Sequence, residues 1–217
     1  MGEVIRPTGE PLHGVWVRLE LLRDDAVDEL FPLLGDPDVY ADGYVMHRRP
    51  LSLDDNRALV KSRFLTEGRT VYAIRLVDEG SLGAADTLVG TSSLLEVDLV
   101  NESIHLGATL YGRRWWGTPV NAEAKLLLLT HCFDTCGFGR VKIQTDALNV
   151  RSQAAIAKLG ARREGVLRRH SRREDGSFRD TVVFSILADE WPEVRAGLRE
   201  RLARAVQAED VRVARGR

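Results

Sequence analysis

The sequence predicts an α+β fold, with a mixed and largely antiparallel twisted sheet flanked by helices. Three observations predict it. The chain has 217 residues, of which 44% are hydrophobic, so it can bury one sizeable core. Short apolar runs separated by turn residues fill 70–112, which is typical of a meander of antiparallel strands. A strongly apolar helical run follows, and then further alternating strand and helix patterns.

The first elements follow in order from the N-terminus. Residues 14–22 alternate and are rich in β-branched and aromatic side chains, which predicts the first strand. Asp24 is placed to cap a helix that continues to Leu34. Ser52 opens a capping sequence ahead of an amphipathic run that reaches Leu65, so a second helix is expected there.

The later elements are read in the same way. Strands are predicted at 71–77, 88–99, 104–112, 140–146, 161–169 and 179–187, and helices at 121–137, 150–159 and 189–209. Gly137 and Gly160 end two of these helices. Asp189 is expected to cap the last helix, and residues 211–217 are expected to form a frayed tail.

Composition excludes several classes of protein. The 31 Lys+Arg and 32 Asp+Glu give a formal net charge of -1, so nucleic acid is not the expected partner. No apolar run approaches the roughly 18 residues that a membrane span needs, and the N-terminus lacks the apolar stretch of a secretory signal. We therefore expect a cytoplasmic protein. Cys132 and Cys136 are spaced as neighbours on one helix face, and no residue cluster has metal-ligand spacing, so no metal is expected.

Three polar aromatic residues lie between the first two predicted helices: Tyr40, Tyr44 and His47. They either line a pocket or are ordinary exposed loop residues, and the second case is the more common one.

The junction between the strand that ends near Tyr111 and the helix that begins near Pro119 has the chemistry of an anion site. Backbone N–H groups in the turn and the first helical turn lack partners within the helix, namely those of Gly117, Thr118, Val120, Asn121 and Ala122. Together with the positive end of the helix dipole, such donors bind phosphate. Arg113 and Arg114 add positive charge. Proline at the first helical position also has a purely structural explanation.

In its order of elements and in residues 145–191, the chain resembles the GCN5-related N-acetyltransferase (GNAT) superfamily, and within it the RimJ/RimL branch. The segment contains NVRS, then LG, EG, a short strand, a DG turn, RD and a final EW. The resemblance implies one N-acetyltransferase domain over 12–195, with a helix end and tail in 196–217. It implies the GNAT fold, a homodimer, and direct transfer of an acetyl group from acetyl-CoA to a primary amine.

The resemblance also implies where acetyl-CoA binds. The family holds the pyrophosphate on the turn before the long helix, which assigns contacts to Trp116, Gly117, Thr118, Val120 and Asn121. It pairs the pantetheine amides with the end of the preceding strand, at Thr109 and Leu110 here. The turn departs from the family pattern at Trp116, Pro119 and Asn121. Because Pro119 removes one N–H donor, weaker or rearranged contacts are expected.

Asn149 and Ser152 match the family's Asn-x-x-Ser. The resemblance implies that Asn149 bonds a pantetheine amide and that Ser152 protonates the departing thiolate. The alternative is structural, with Asn149 as the N-cap of the following helix and Ser152 at its third position, and the two roles are compatible. Arg151 would reach the 3′-phosphate of CoA or lie on an exposed helix face.

The residue that takes the proton from the amine is less well defined. RimL-type enzymes carry a Glu at the position of Ser171 here, beside His170, so the usual carboxylate is missing. Glu96 on the meander lies where other GNAT enzymes place a base, and His105 is on the neighbouring strand. A histidine suits this chemistry because its ordinary pKa is about 6.5. Glu96, His105 and His170 are therefore the candidate bases.

Two functions from other classes stay open. The altered turn and the missing Glu favour a non-catalytic acyl-CoA-binding or sensing module. The arginines of the last helix favour an RNA- or ribosome-associated protein, although a solvated helix face is the more common explanation of such a pattern.

Overall fold

A computed structural model describes residues 3–40 and 47–215, with side chains up to residue 209. The strands are β1 Leu12–His13, β2 Val17–Leu21, β3 Thr70–Leu76, β4 Leu88–Asp98, β5 Ser103–Tyr111, β6 Arg140–Asp146, β7 Arg162–Arg172 and β8 Phe178–Leu187. The helices are α1 Phe31–Leu34, α2 Leu53–Arg63, α3 Pro119–Thr130, α4 Val150–Ala157 and α5 Trp191–Arg215. The strands form one sheet in the order β1-β2-β3-β4-β5-β6-β8-β7, in which only β5 and β6 are parallel neighbours.

Most of the predicted elements are confirmed. The meander is β3 to β5, β6 has the predicted bounds, and Ser52 caps α2 by accepting a hydrogen bond from the Asp55 N–H. The long apolar helix is α3, which continues through a π-helical turn at His131–Thr135 before Gly137 ends it with a φ of 76°. The first predicted strand is shorter than expected, and the two-residue β1 precedes it.

The predicted helix from Asp24 to Leu34 is wrong. Two 3-10 turns precede the single turn of α1, and no side chain caps the first of them. Pro32 explains the break. It has no N–H to donate to the carbonyl of Asp28, so an α-helix cannot run through this segment with its hydrogen bonds intact.

The C-terminal helix also differs from its prediction. It begins at Trp191, and the Val194 N–H donates to the carbonyl of Glu190, so Glu190 rather than Asp189 is at the start of the helix. The expected tail is helical as far as Arg215. Within the described residues, neither α5 nor any other helix is apolar and long enough to cross a membrane.

The sheet has a core on each face. The larger one lies between the sheet and helices α3 and α5, and includes Leu106, Leu128 and Leu198. Cys132 and Cys136 are buried here as free thiols. The smaller core lies between the opposite face and the segment of α1 and α2, and includes Leu30 and Val60. Side chains that alternate along one strand therefore reach two different environments.

The two middle strands separate after a short contact. β5 pairs with β6 only from Ser103 to His105, opposite Arg140 to Lys142. β5 then continues for six residues to Tyr111, and among the described residues no strand pairs with its β6-facing edge there. The family resemblance assigns pantetheine pairing to Thr109 and Leu110, and the structure opens the sheet just past His105, before both residues.

Two bulges shape the strands beside the opening. The β4–β5 register shifts at Glu96 in β4 and near Ala108 in β5, and both residues have positive φ, 52° and 45°. A bulge adds one residue to a strand and so reverses the face to which the following side chains point. For this reason Thr109 points toward α3, whereas His105 points to the opposite face.

Helix α3 is tied to the N-terminal strands by a buried carboxylate. Glu123, 5% exposed, accepts hydrogen bonds from the backbone N–H groups of Val15, Trp16 and Val17, at 2.8, 2.6 and 2.8 Å. A Cβ on Gly14 would lie 2.5 Å from the same carboxyl group. The turn between β1 and β2 is thus wrapped around Glu123, and this contact fixes where α3 lies under the sheet.

A second buried charge on α3 lies under the β5 bulge. The Lys125 Nζ donates to the hydroxyls of Thr109 and Ser92, at 2.7 and 3.1 Å, and no carboxylate pairs with it among the described residues. The two hydroxyls also bond each other at 2.8 Å. Burial lowers the pKa of Lys125 from 10.5 to about 7, because a low-dielectric environment disfavours the ammonium form.

We expect Glu123→Ala to destabilise the fold by about 3 kcal/mol, because three backbone N–H donors lose a buried, charged acceptor. For a chain of this size, that corresponds to a fall in Tm of roughly 6–12 °C. Thermal unfolding measures it, with the exposed Glu67→Ala as a matched control that should leave Tm nearly unchanged. Equal Tm values for the two variants would contradict the anchoring role.

We expect Lys125→Met to raise Tm more at pH 6 than at pH 10. Below pH 7, Lys125 is charged in both the folded and the unfolded chain, so the full cost of burying its charge opposes folding. Between about pH 7 and 10.5, Lys125 is protonated in the unfolded chain but neutral in the folded one. The stability of the wild type therefore rises with pH over this range, and the difference in Tm between Lys125→Met and the wild type becomes smaller. Thermal unfolding at both pH values tests this, with the exposed Lys158→Met as control. A gain that does not depend on pH would contradict it.

Candidate active site

The turn before α3 offers backbone donors, as the sequence predicts, but fewer of them are unused. The Thr118 N–H donates to the carbonyl of Trp115, and the Val120 N–H donates to the Thr118 hydroxyl, both at a long 3.4 Å. The N–H groups of Gly117 and Asn121 make no hydrogen bond to any described residue. Two donors at a helix N-terminus, with two weakly held neighbours, fit a diphosphate.

Trp116 connects this turn to α4. Its indole N–H donates to the carbonyl of Tyr111 at 3.0 Å, which fixes the ring against the end of β5. The guanidinium of Arg151 lies over the ring, with its Cζ 3.4 Å from the ring centroid, as in a cation–π contact. The predicted cofactor residues Trp116 and Arg151 are thus in direct contact. Arg113, in contrast, pairs with Asp38 at 2.6 Å.

Asn149 is the N-cap of α4, which confirms the structural interpretation. Its Oδ1 accepts a hydrogen bond from the Ser152 N–H at 2.9 Å. The Asn149 amide nitrogen and the Ser152 hydroxyl make no hydrogen bond to the described part of the chain. The cap therefore leaves both groups available for a second role.

Two of the three candidate bases lie together. His105 Nδ1 is 3.1 Å from Glu96 Oε1, and Lys142 on β6 binds the other carboxylate oxygen. These contacts, the His105 hydrogen bond above all, lower the pKa of Glu96 to about 2. Burial lowers the pKa of His105, which is 4% exposed, and the Glu96 carboxylate partly opposes that effect. The pair is thus a carboxylate beside a neutral imidazole.

The second ring nitrogen of His105 points to a place with no acceptor or donor. His105 Nε2 is buried, without a hydrogen-bond partner among the described residues. It lies over Gly107, where a Cβ would be only 2.5 Å away, so the absence of a side chain at Gly107 allows this orientation. With Nδ1–H donated to Glu96, Nε2 is the basic nitrogen.

Gln144 is a candidate site residue that the sequence pattern did not single out. Its Oε1 is also buried and lacks a partner within the described residues. Val141 and Ile143 point into the core, so alternation places Gln144 on the same sheet face as Lys142 and His105. Since β6 runs parallel to β5 and His105 pairs with Lys142, Gln144 is level with Gly107. The alternation of β6 was the signal that could have found it.

The third candidate base lies elsewhere on the sheet. His170 is exposed on β7, three strands from β5 in the sheet order, and its Nδ1 is 3.0 Å from the Thr181 hydroxyl. The structure therefore does not bring His170 together with Glu96 and His105.

The loop between α1 and α2 reaches the β7–β8 turn. The Arg48 N–H donates to the Glu174 carboxylate at 3.0 Å. Tyr40 and His47 pack edge to face, with ring centroids 5.8 Å apart. Tyr44 lies outside the described residues. Within them, no group of His, Cys, Asp or Glu side chains is arranged to hold a metal ion.

Comparisons with known proteins agree with this arrangement. The acetyltransferase (GNAT) domain family matches residues 17–162. A solved structure from T. thermophilus, assigned to the acetyltransferases, is 36% identical, with coverage of 91% of this chain and 100% of that one and a TM-score of 0.79. A GCN5-related N-acetyltransferase from Brucella melitensis is 25% identical, with coverage of 91% and 87% and a TM-score of 0.82.

A spermidine N-acetyltransferase from Vibrio cholerae, solved with CoA and spermine, shares the fold at 13% identity, with coverage of 82% and 99% and a TM-score of 0.63. Among curated protein sequences, none matches significantly. The family match spans most of the chain and agrees with the opened sheet. The chain therefore belongs to the GNAT family, and it is an acetyltransferase.

Proposed function

We propose that this enzyme transfers the acetyl group of acetyl-CoA to a primary amine, on a protein N-terminus or a small molecule, as in the RimJ/RimL branch. One observation carries the proposal. A buried imidazole with an unpaired Nε2, oriented by a carboxylate, lies at the point where β5 and β6 separate. A proton acceptor held in this way suits an amine that must lose a proton as it attacks.

The residues around the opening fit acetyl-CoA. The unpaired amides of Gly117 and Asn121 match a diphosphate, and the edge of β5 near Thr109 and Leu110 matches an extended amide chain. When bound there, acetyl-CoA supplies the thioester carbon that the amine attacks. The loss of a donor at Pro119 leaves these two amides in place, so the altered turn is compatible with binding.

His105 is the proposed base. The Glu96 carboxylate holds its Nδ1–H, so the buried Nε2 is left as the acceptor for the amine proton. Glu96 itself is a poor candidate, because its oxygens are engaged by His105 and Lys142 and its pKa is about 2. Gln144 Oε1 offers a second acceptor at the same level, so the two atoms together would orient an amine with two N–H bonds.

Ser152 and Asn149 would serve the leaving group and the cofactor arm. The Ser152 hydroxyl donates a proton to the departing thiolate, and the Asn149 amide nitrogen donates to a pantetheine carbonyl while its Oδ1 caps α4. This pathway needs no covalent enzyme intermediate. Arg151, stacked on Trp116, is placed beside the turn to add positive charge for the CoA phosphates.

The charges of α5 favour the enzyme over an RNA-binding protein. Arg195 pairs with Asp134 at 2.7 Å, and Arg204 pairs with Glu200 at 2.8 Å. These two arginines already have carboxylate partners, which is typical of a solvated helix face. A homodimer remains a prediction of the family resemblance.

We expect Gly117→Asp to abolish most of the rise in Tm that acetyl-CoA produces, because a carboxylate in the diphosphate-binding turn repels the like charge of the ligand. A tenfold weaker Kd is expected at the least, about 1.4 kcal/mol. Gly68→Asp is a matched control, since both glycines have a φ of 77° and open space around the Cβ position, so both variants carry the same backbone strain. An unchanged acetyl-CoA shift in Gly117→Asp would contradict the assigned site.

We expect Asn149→Ser to retain the unliganded Tm but to lose part of the acetyl-CoA shift. Serine still caps α4, whereas the amide donor proposed for pantetheine is removed. Thermal shift measurements with and without acetyl-CoA separate the two roles. A full acetyl-CoA shift in this variant would leave Asn149 with only its capping role.

The pKa of His105, followed by NMR titration, should respond in opposite directions to its two charged neighbours. Glu96→Gln removes the carboxylate that raises this pKa, so the titration and the acid limb of kcat move to lower pH. Lys142→Gln removes a cation that lowers the pKa of His105, so the His105 titration and the acid limb of kcat should both move to higher pH. His105→Gln should reduce kcat by roughly 10²–10⁴. An acid limb that does not follow the His105 titration would rule out this base.

A further inference from the structure

A buried cluster of charges lies on the sheet face of His105, toward the ends of β6 and β8. Asp146, Arg173 and Arg179 form it, with side chains 3%, 10% and 14% exposed. Asp146 shares the alternation of Lys142 and Gln144 along β6 and is paired with Thr181 of β8. The cluster is therefore continuous with the proposed amine site.

The cluster contains two guanidinium groups and one carboxylate, and the carboxylate is fully used. Asp146 Oδ1 accepts the Leu148 N–H at 2.9 Å, and Oδ2 binds Arg173. Arg173 also donates to the carbonyl of Phe178 at 3.0 Å. Arg179 is 4.0 Å from Asp146 Oδ2 and makes no hydrogen bond to any described residue. One positive charge is thus left without a bonded partner.

The surrounding titratable groups do not neutralise Arg179. Glu174 is engaged by Arg48 and Arg63. Asp180 accepts the Arg169 N–H, and His170 bonds Thr181. Asp175 accepts the N–H of Ser177 within the hairpin turn.

A buried guanidinium N–H without a hydrogen bond is unfavourable, because that donor gives up water and receives no acceptor in return. The Nε atoms of Arg173 and Arg179 are both buried without partners within the described chain. A carboxylate or a phosphate would satisfy such donors, since the guanidinium fork matches the geometry of both anions.

The distance from the amine site limits the size of the ligand. Asp146 follows Gln144 by two residues on the same face, which is about 7 Å along a strand. Arg179 Nε is 4.0 Å from Asp146 Oδ2, so an acceptor that places its amine between His105 and Gln144 would carry an anionic group to Arg179 at a distance on the order of 7 Å.

We propose that Arg179, with Arg173, binds an anionic group of the acceptor, a carboxylate or a phosphate, roughly 7 Å from the amine that is acetylated. The assignment to the acceptor rests on the proposed function. Anion binding at Arg179 is a separate property that can be measured without turnover, and the acetyl-CoA shift reports on the proposed function independently.

The first experiment measures anion binding in protein saturated with CoA, so that the turn before α3 is occupied. Sodium phosphate and sodium acetate are each compared with sodium chloride at equal ionic strength. We expect phosphate or acetate to raise the wild-type Tm by about 2 °C or more, and the anion that does so identifies the ligand chemistry. Arg179→Gln should lose most of this rise, while Arg163→Gln, an exposed arginine on β7, should keep it.

Several outcomes would overturn the proposal. The first is that neither anion raises the Tm of the wild type. The second is that Arg179→Gln shows the same rise in Tm as the wild type. The third is that Arg163→Gln loses as much of the rise as Arg179→Gln, which would indicate a general effect of charge. If Arg179→Gln does not fold, Arg179→Lys serves instead, because it retains the charge and loses the fork, so a weakened rise is expected there and an unchanged one counts against the site.

The second experiment links the anion to the acceptor. Glycylglycine places a carboxylate about two residues, or roughly 7 Å, from its amine, and glycylglycinamide is the same molecule without that charge. We expect the wild type to favour the acid over the amide by at least about tenfold in kcat/KM, and Arg179→Gln to reduce that preference toward one. A wild type that prefers the amide, or a preference that survives in Arg179→Gln, would refute the assignment.

Discussion

The short contact between β5 and β6 determines where chemistry can occur in this protein. Three residue pairs hold the strands together, and past His105 the β6-facing edge of β5 has no strand to bond within the described residues. A row of backbone donors and acceptors in the middle of a sheet is normally satisfied by a neighbour. Among the described residues, the Trp116 indole reaches only the last carbonyl of β5, that of Tyr111, so the opening favours a substrate with amide groups along its length.

Helix α3 connects the opening to the rest of the molecule. Its N-terminus presents the amides proposed to bind the diphosphate, and its buried face carries Glu123 toward β2 and Lys125 toward the β5 bulge. Both charges are unfavourable in isolation. Three backbone N–H groups donate to Glu123, whereas the described partners of Lys125 are two hydroxyls. The contact of α3 with β5 beside the opening is therefore weaker than its contact with the turn between β1 and β2.

The sequence predicts the elements well where the local pattern decides them. The meander, α3 and the Asn149 cap depend on alternation, helical spacing and capping, which are local properties. The prediction of a helix from Asp24 was wrong because Pro32 interrupts the helical hydrogen bonds despite the favourable apolar pattern. The site itself was harder to predict. Glu96 meets His105 through a bulge at a non-glycine residue with a φ of 52°, and nothing in the local sequence specifies that.

The sheet face around His105 has a charge balance that suits an amine acceptor. Lys142, Arg173 and Arg179 are cations, and the anions Glu96 and Asp146 are each engaged by one or two of these cations. An excess of positive charge disfavours a protonated amine and so lowers its pKa. The neutral amine is the nucleophile, so the same excess that attracts an anionic group of the acceptor also favours its reactive form. Recognition and activation of the acceptor would then share one electrostatic origin.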